Sequence, residues 1–213
     1  QPSRSPGYLV LKRLFDLAAS IFGLLLILPL LPFIVLLIKL ETSGPIFFKQ
    51  ARVGYRGRIF DCYKFRSMAV DAEAAKEKLG HLNEASGAAF KIKDDPRITG
   101  VGRFLRRSSI DELPQLWNVL KGEMSFVGPR PERAFFIKQL EKDVPYYSER
   151  LTVKPGLTGW AQVNGLRGET NTLDKMQKRI EYDLYYIDHW SLWFDLKIIF
   201  LTLFKGFVDK NAY

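Results

Sequence analysis

A chain of 213 residues with 32 Lys+Arg against 23 Asp+Glu has a formal net charge of +9. That is enough length for one domain with its own core, and the charge favours anionic partners: nucleic acid, anionic lipid or phosphorylated substrates. The single Cys62 excludes an internal disulfide, and with only His81 and His189 beside it there is no zinc-type ligand set, so any metal is expected to be a hard cation held by carboxylates.

Residues 1–11 read as a linker or the stub of something larger, opening on the polar, proline-containing Gln1 to Gly7; no small-residue cleavage site follows to make a signal peptide. Leu17 to Ile38 is free of charge and long enough for a bilayer, which needs about 20 apolar residues. Pro29 and Pro32 fall near its middle, and basic residues flank both ends: Lys12 and Arg13 before, Lys39, Lys49, Arg52, Arg56 and Arg58 after. Basic flanks keep both ends on the cytoplasmic side, so a re-entrant helix-break-helix fits, with a kinked spanning helix as the alternative. The carbonyls freed at the break would need partners, since lipid offers none.

Ile46 to Arg52 and Arg58 to Lys64 predict a β-hairpin joined through Gly54 to Gly57. Its basic residues would lie close to anionic headgroups, each adding about 1 kcal/mol of attraction. Ala69 to Glu84 predicts a surface helix, and the stretch around Gly87 a mobile loop. Asp94-Asp95-Pro96-Arg97 lacks metal-binding D-x-D spacing, and Pro96 predicts a turn or helix start.

The chain is organised around Arg103 to Pro131, where Arg106, Arg107, Ser108 and Ser109 precede the adjacent Asp111 and Glu112, and Pro129-Arg130-Pro131 closes the stretch. Proline is tolerated in a helix's first turn, so Pro114 predicts a helix to Leu120 that begins near Asp111. Ser109 with Glu112 also fits a capping box, but that would push Pro114 into the second turn, so Asp111 is the expected N-cap. A carboxylate there is favoured in its ionised form, and nearby N–H groups can receive a phosphate. Two neighbouring acids need not form a site by themselves; the basic run before them, Lys121-Gly122 and the Pro-Arg-Pro segment point to phosphate handling.

Glu132 to Lys142 predicts an amphipathic helix with Phe135, Phe136, Ile137 and Leu140 on one face. Leu151 to Gly165 is punctuated by glycines that could let backbone N–H groups approach a ligand. Thr172 to Tyr186 predicts a charged helix. Trp190 to Tyr213 mixes aromatic residues with Lys197, Lys205 and Lys210, too charged to span; it predicts an interfacial helix, with packing on the core as the alternative or the opposite face.

The run RRSSIDELPQLWNVLKGEMSFVGPRP, with KFRSM at Lys64 to Met68 and KPGLTGWAQVNG at Lys154 to Gly165, resembles the bacterial sugar transferases, monotopic phosphoglycosyl transferases acting on a polyprenyl phosphate. The similarity extends from Lys12 to Tyr213. It implies an α+β, mainly helical fold, with residues 12–40 as a re-entrant membrane anchor, 41–213 as a small cytoplasmic catalytic domain, and interfacial amphipathic helices. The location implied is the bacterial inner membrane, and a catalytic fragment of a longer protein fits the family.

The activity implied is transfer of a hexose-1-phosphate from a UDP-sugar to undecaprenyl phosphate, releasing UMP, at the first membrane step of surface-polysaccharide synthesis. Asp111 would be the nucleophile that forms an aspartyl phosphosugar. Mg²⁺ would be held by Asp111 and Glu112, with Glu112 open between metal ligand and base. Arg106, Lys64 and Arg66 would bind substrate phosphate, and Arg130 between Pro129 and Pro131 the nucleotide. Asp183 is the candidate for a further functional acid. The block from Arg167 to Tyr186 with Trp190 to Phe207 is most similar to the glucose-1-phosphate branch, with galactose-1-phosphate next. Membrane lipids are partners, nucleic acid is not, and self-association into a homo-oligomer stays open. A non-catalytic basic membrane scaffold and a polyprenyl-phosphate phosphatase are the rival readings.

Overall fold

A computed structural model describes residues 6–72, 74–75, 80, 92, 94–134, 137, 144–167 and 173–205. The apolar stretch forms two helices, α1 (Pro6–Ile27) and α2 (Leu31–Glu41), bent by 62° across a short break. Neither is long and apolar enough to cross a membrane alone, but the pair passes that test together. Pro29 lies in the break and Pro32 in the first turn of α2, where a missing N–H costs little. Through the bend the Leu28, Leu30 and Ile34 N–H groups donate to Leu24, Ile27 and Leu30 carbonyls at 3.0, 2.9 and 3.0 Å.

The polarity of α1 is inverted. Lys12, Asp16, Ser20 and Ile27 form its buried face, while Leu14, Ile21, Phe22, Leu25 and Leu26 are exposed. Lys12 Nζ lies 3.0 Å from both Asp16 Oδ1 and Asp195 Oδ2, and Ser125 Oγ and Phe126 N–H donate to Asp16 Oδ1 at 3.0 Å. A buried charge without such partners would cost several kcal/mol. These contacts fasten α1 to the domain through its polar stripe.

The hairpin forms as β1 (Phe47–Val53) and β2 (Ile59–Phe65), antiparallel from Phe47↔Phe65 to Val53↔Ile59 and joined by a 3-10 turn at Tyr55–Gly57. Beyond it, Asp95 accepts from Arg97 at 2.6 and 2.9 Å within a turn, as the proline there implies. Helices α3 (Gly100–Arg107) and α4 (Gln115–Lys121) follow, then β3 (Ser125–Val127) and β4 (Glu132–Arg133). The strand β4 corrects the helix expected from Glu132: these residues pair with β1, Arg52↔Arg133 and Val53↔Glu132. Edge pairing beside a fixed Pro-Arg-Pro segment overrides local helical periodicity. Ala134 and Ile137 are helical, and Ile137 is buried; Phe135, Phe136 and Leu140 lie outside the described residues, as does Gly87. Ala72, Ala74 and Ala75 are helical within the expected Ala69 to Glu84 helix.

Strand β5 (Gly156–Thr158) runs parallel to β3. A Cβ on Gly156 would sit 2.0 Å from Gly128 N, so this glycine serves backbone-to-backbone packing, not ligand approach. Helices α5 (Leu173–His189) and α6 (Leu192–Lys205) complete the fold. Ile198 of α6 is fully buried with Val127, Val163 and Tyr186, worth roughly 2 kcal/mol by area. Trp193, Phe200, Leu203 and Phe204 on α6 are exposed. The tail therefore has both a core face and an exposed aromatic face.

Candidate active site

Ser109 adopts left-handed geometry (φ 58°, ψ 14°) and turns the chain out of α3. A 3-10 turn at Ile110–Glu112 follows, and Leu113 and Pro114, both in helical conformation, lead into α4. Asp111 is thus inside the 3-10 turn, not the N-cap that local propensity suggests; α4 is preceded by Pro114 with no side-chain cap. The Ser109 hydroxyl is no cap either and accepts from Arg167 Nη2 at 2.7 Å. Ile110 and Leu113 pack on the cluster of Ile27, Ile34, Ile38, Phe65 and Leu105. The two apolar neighbours tie the acidic pair to a cluster in which the bent helix pair, β2 and α3 meet.

Glu112 is surrounded by cations: Lys64 Nζ at 2.8 Å, Arg130 Nη2 at 2.7 Å, and Arg167 Nη2 at 3.5 Å from its second oxygen. Burial pushes its carboxyl up, but Arg130 and Lys64 outweigh that and hold it well below the usual carboxylate range. Asp111, 4% exposed, has the opposite balance. Burial raises its carboxyl to about 6, Lys64, Arg106 and Arg130 pull against the rise, and the charge of Glu112 adds to it. Its Oδ1 is buried without a hydrogen-bond partner. Two neighbouring acids therefore differ in kind: Glu112 gathers cations, and Asp111 keeps an oxygen in hand.

Lys64, Arg130, Asp111 and Glu112 come together as the sequence suggests. Arg106 donates from Nε to Ser67 Oγ at 2.8 Å and acts on Asp111 through its charge. Pro129 and Pro131 are fastened through their carbonyls, which accept from Gly156 N–H at 2.8 Å and Arg52 Nη1 at 2.9 Å. Arg66 is not brought into the cluster; its guanidinium donates to the carbonyls of Ser43 and Thr42, closing the end of α2. Asp183 is not either. It is buried beside Arg150, 2.8 Å from Nη2, and Arg150 donates to the Arg130 carbonyl at 2.8 Å, so Asp183 supports the loop from behind.

Arg167 is the member sequence reading missed. It stands two residues past Gly165, whose φ of 85° ends a widened helical turn at Gln162–Leu166. The signal was an arginine just beyond the glycine-punctuated block; only the turn shows that it reaches Glu112.

Among the described residues no group of three or more His, Cys, Asp and Glu side chains could hold a metal. The cluster fits Mg²⁺ in its usual mode, one or two carboxylates completed by waters and substrate phosphates. Asp111, with an unpartnered oxygen, is the better placed ligand, since the cations on Glu112 compete for it.

A family model described as bacterial sugar transferase matches residues 7–209. The chain is 50% identical over 204 residues to the UDP-glucose:undecaprenyl-phosphate glucose-1-phosphate transferase of Escherichia coli (strain K12), covering 96% of this chain and 42% of that protein. It is 46% identical over 197 residues to the galactosyl transferase CpsE of Streptococcus agalactiae serotype III (strain NEM316), with coverages of 92% and 42%. It is 46% identical over 209 residues to the exopolysaccharide production protein PSS of Rhizobium leguminosarum bv. phaseoli, with coverages of 93% and 99%. The chain thus spans well under half the length of the first two relatives and nearly all of the third.

Proposed function

The chain belongs to the bacterial sugar transferase family, and we propose that it is a phosphoglycosyl transferase moving glucose-1-phosphate, or next galactose-1-phosphate, from a UDP-sugar to undecaprenyl phosphate. The observation that carries this reading is the Asp111 carboxylate: buried, raised to about 6, and unpartnered at Oδ1 beside a Glu112 that holds three cations. An Asp111 oxygen attacks the sugar-linked phosphorus, the bond to the bridging oxygen breaks, and UMP leaves with that electron pair. The acyl phosphate then yields to an undecaprenyl-phosphate oxygen, which restores the carboxylate and forms a diphosphate-linked sugar. Splitting the transfer lets each anionic substrate meet the nucleophile in turn.

Lys64, Arg106, Arg130 and Arg167 neutralise phosphate charge, with Arg130 and Arg167 drawn from Glu112 toward substrate; charge-assisted arginine contacts suit phosphate oxygens. Mg²⁺, held by Asp111 and by Glu112 where its cations yield, would screen the diphosphate. Glu112 as a base remains part of the proposal.

The catalytic part would be residues 41–213 on the cytoplasmic side of the bacterial inner membrane, with 12–40 as re-entrant anchor; of the linker expected over 1–11, residues 6–11 instead form the start of α1. The inverted polarity of α1 and the 62° bend support that topology. Packing of Ile110 and Leu113 on the cluster that includes Ile27, Ile34 and Ile38 would keep the nucleophile at the depth of a lipid phosphate. The pathway proposed is surface or exopolysaccharide synthesis. The test is UMP release by nanodisc-embedded protein with undecaprenyl phosphate, Mg²⁺ and a panel of UDP-sugars. UMP release only with a UDP-hexose supports the transferase; inorganic phosphate without a donor would indicate a phosphatase, and silence across the panel a scaffold.

A further inference from the structure

The segment carrying Asp111 and Glu112 consists of two short helices joined by a turn: α3, the turn at 108–114, and α4. Both outer ends of this segment are bonded by side chains of the bent helix pair. At the start of α3, Glu41 accepts from Gly100 N–H at 2.5 Å and Val101 N–H at 2.9 Å, and Thr99 takes Gly102 N–H at 2.9 Å. The first turn of α3 has no acidic residue of its own, so Glu41 supplies the charge that its positive pole favours. At the end of α4, Arg13 donates from Nη1 to the Val119 carbonyl at 2.6 Å and from Nη2 to the Leu120 carbonyl at 2.7 Å. The partners are 59 and 60 positions apart in the first cap and 106 and 107 in the second.

Signs and places match: an anion from the end of α2 on an N-terminus, a cation from α1 on a C-terminus. Between them, Ile110 and Leu113 pack against the cluster that Ile27, Ile34 and Ile38 of the same helix pair share with Phe65 and Leu105. Holding a protein to a membrane requires only the exposed apolar face of α1 and α2. It gives no reason for charged side chains to reach across the fold to two helix ends, which water or a local side chain could satisfy.

We propose that the bent helix pair is a clamp that sets the geometry of the Asp111–Glu112 turn, with Glu41 and Arg13 as its positioning residues. The proposal rests on the transfer reading above. Helix α3 has Arg106 in its last turn, and at about 1.5 Å per residue its length is about 12 Å. A tilt of a few degrees about a loosened N-terminus therefore moves the turn by about half an ångström to one ångström, a displacement that can cost up to ~100-fold in rate. Water replaces part of each lost cap, so about tenfold in kcat is expected for each residue.

The experiment uses nanodisc-embedded protein with Glu41→Ala, Arg13→Ala, both together, and the milder Glu41→Gln and Arg13→Lys. Lys39→Ala is the control, because its amine donates to the nearby Gly44 carbonyl and, among the described residues, to no part of α3 or α4. The readouts are kcat and KM for UMP release, membrane flotation, melting temperature, and hydrogen exchange across residues 108–114. Expected are a kcat loss of about tenfold for each alanine, a larger loss for the pair, partial recovery in Gln and Lys, and KM within about twofold. Faster exchange in the turn, with unchanged flotation and a melting temperature lowered by no more than about 5 °C, completes the pattern. Normal kcat and exchange in both alanine variants overturn the clamp, as does a kcat loss matched by loss of folded, membrane-bound protein. If the unsubstituted protein releases no UMP from any donor, the transfer reading falls, and hydrogen exchange alone decides whether Glu41 and Arg13 fix the turn.

Discussion

Two clusters of arginines and carboxylates meet at Arg130, and they do opposite things with the same residue types. The side chains of Lys64, Arg130 and Arg167 around Glu112 are 19%, 23% and 18% exposed while Glu112 is 5% exposed, so cations at the surface converge on a buried acid. Behind the loop, Arg150 and Asp183 are each 2% exposed, and Arg179, 4% exposed, lies 2.8 Å from Glu132. The first set can turn toward an incoming anion; the second is closed, and its output is the grip of Arg150 on the Arg130 carbonyl. Exposure of the cation, not the count of charges, separates a ligand cluster from a structural one.

The largest effect should come from the open cluster. Asp111→Asn is expected to lower UMP release at least ~1,000-fold, as loss of a covalent nucleophile does, with a melting temperature no lower than the parent's, because a carboxyl raised by burial is disfavoured when charged. Near-normal turnover would remove Asp111 from the chemistry. The closed cluster should answer in stability. Asp183→Asn removes the nearer counter-charge of buried Arg150 and leaves Glu132, 4.0 Å from its Nη1, as the remaining one, costing up to about 3 kcal/mol, read by denaturant unfolding in detergent. Activity per folded molecule should fall less than ~tenfold, since only the support of Arg130 loosens. A catalytic loss equal to that of Asp111→Asn would break the comparison and move Asp183 into the site.

Arg167 sharpens the boundary. Its contact with Glu112 is long and partly exposed and its firm bond is the one to Ser109 Oγ, so removing it should cost no more than about 1.5 kcal/mol of stability. If it turns to substrate phosphate, Arg167→Ala should lower kcat/KM by about 10–100-fold. A drop in stability without a kinetic change would class it with the closed cluster.

Much of this was legible because it is local. The bent apolar pair and the hairpin to within a residue follow from prolines and alternation, and the grouping of Asp111, Glu112 and Arg130 from one dense block; Lys64, 48 positions from Glu112, was placed with them by the family resemblance. What was not legible depends on contacts distant in sequence. Arg66 and Arg130 look equivalent as basic residues, yet one closes a helix end and the other reaches the acidic pair. Asp111 reads as an N-cap until Ser109 adopts a left-handed turn, and Glu132 reads as helical until β1 offers it an edge. Gly156 suggests ligand approach until the Gly128 backbone fills the space beside it.

The smallest effect is also the most diagnostic, because it follows the balance of burial and charge at Asp111 itself. With its carboxyl at about 6, the nucleophile takes up a proton as pH falls through that value. Each further unit should cost about tenfold in rate. The lipid acceptor's phosphate also titrates near 6, so the measurement is the single-turnover UMP burst without acceptor, where the diphosphate donor does not change charge. An acid limb near 6, rather than near the ordinary 3.8, is expected. Because the folded-state value is the raised one, Asp111 opposes folding above about 6, and the protein should gain stability relative to Asp111→Asn as pH falls from 6 toward 3.8. Lys64 is the strongest charge holding the carboxyl down, so Lys64→Met should move the acid limb upward; an unmoved limb would mean that the titrating group is not Asp111.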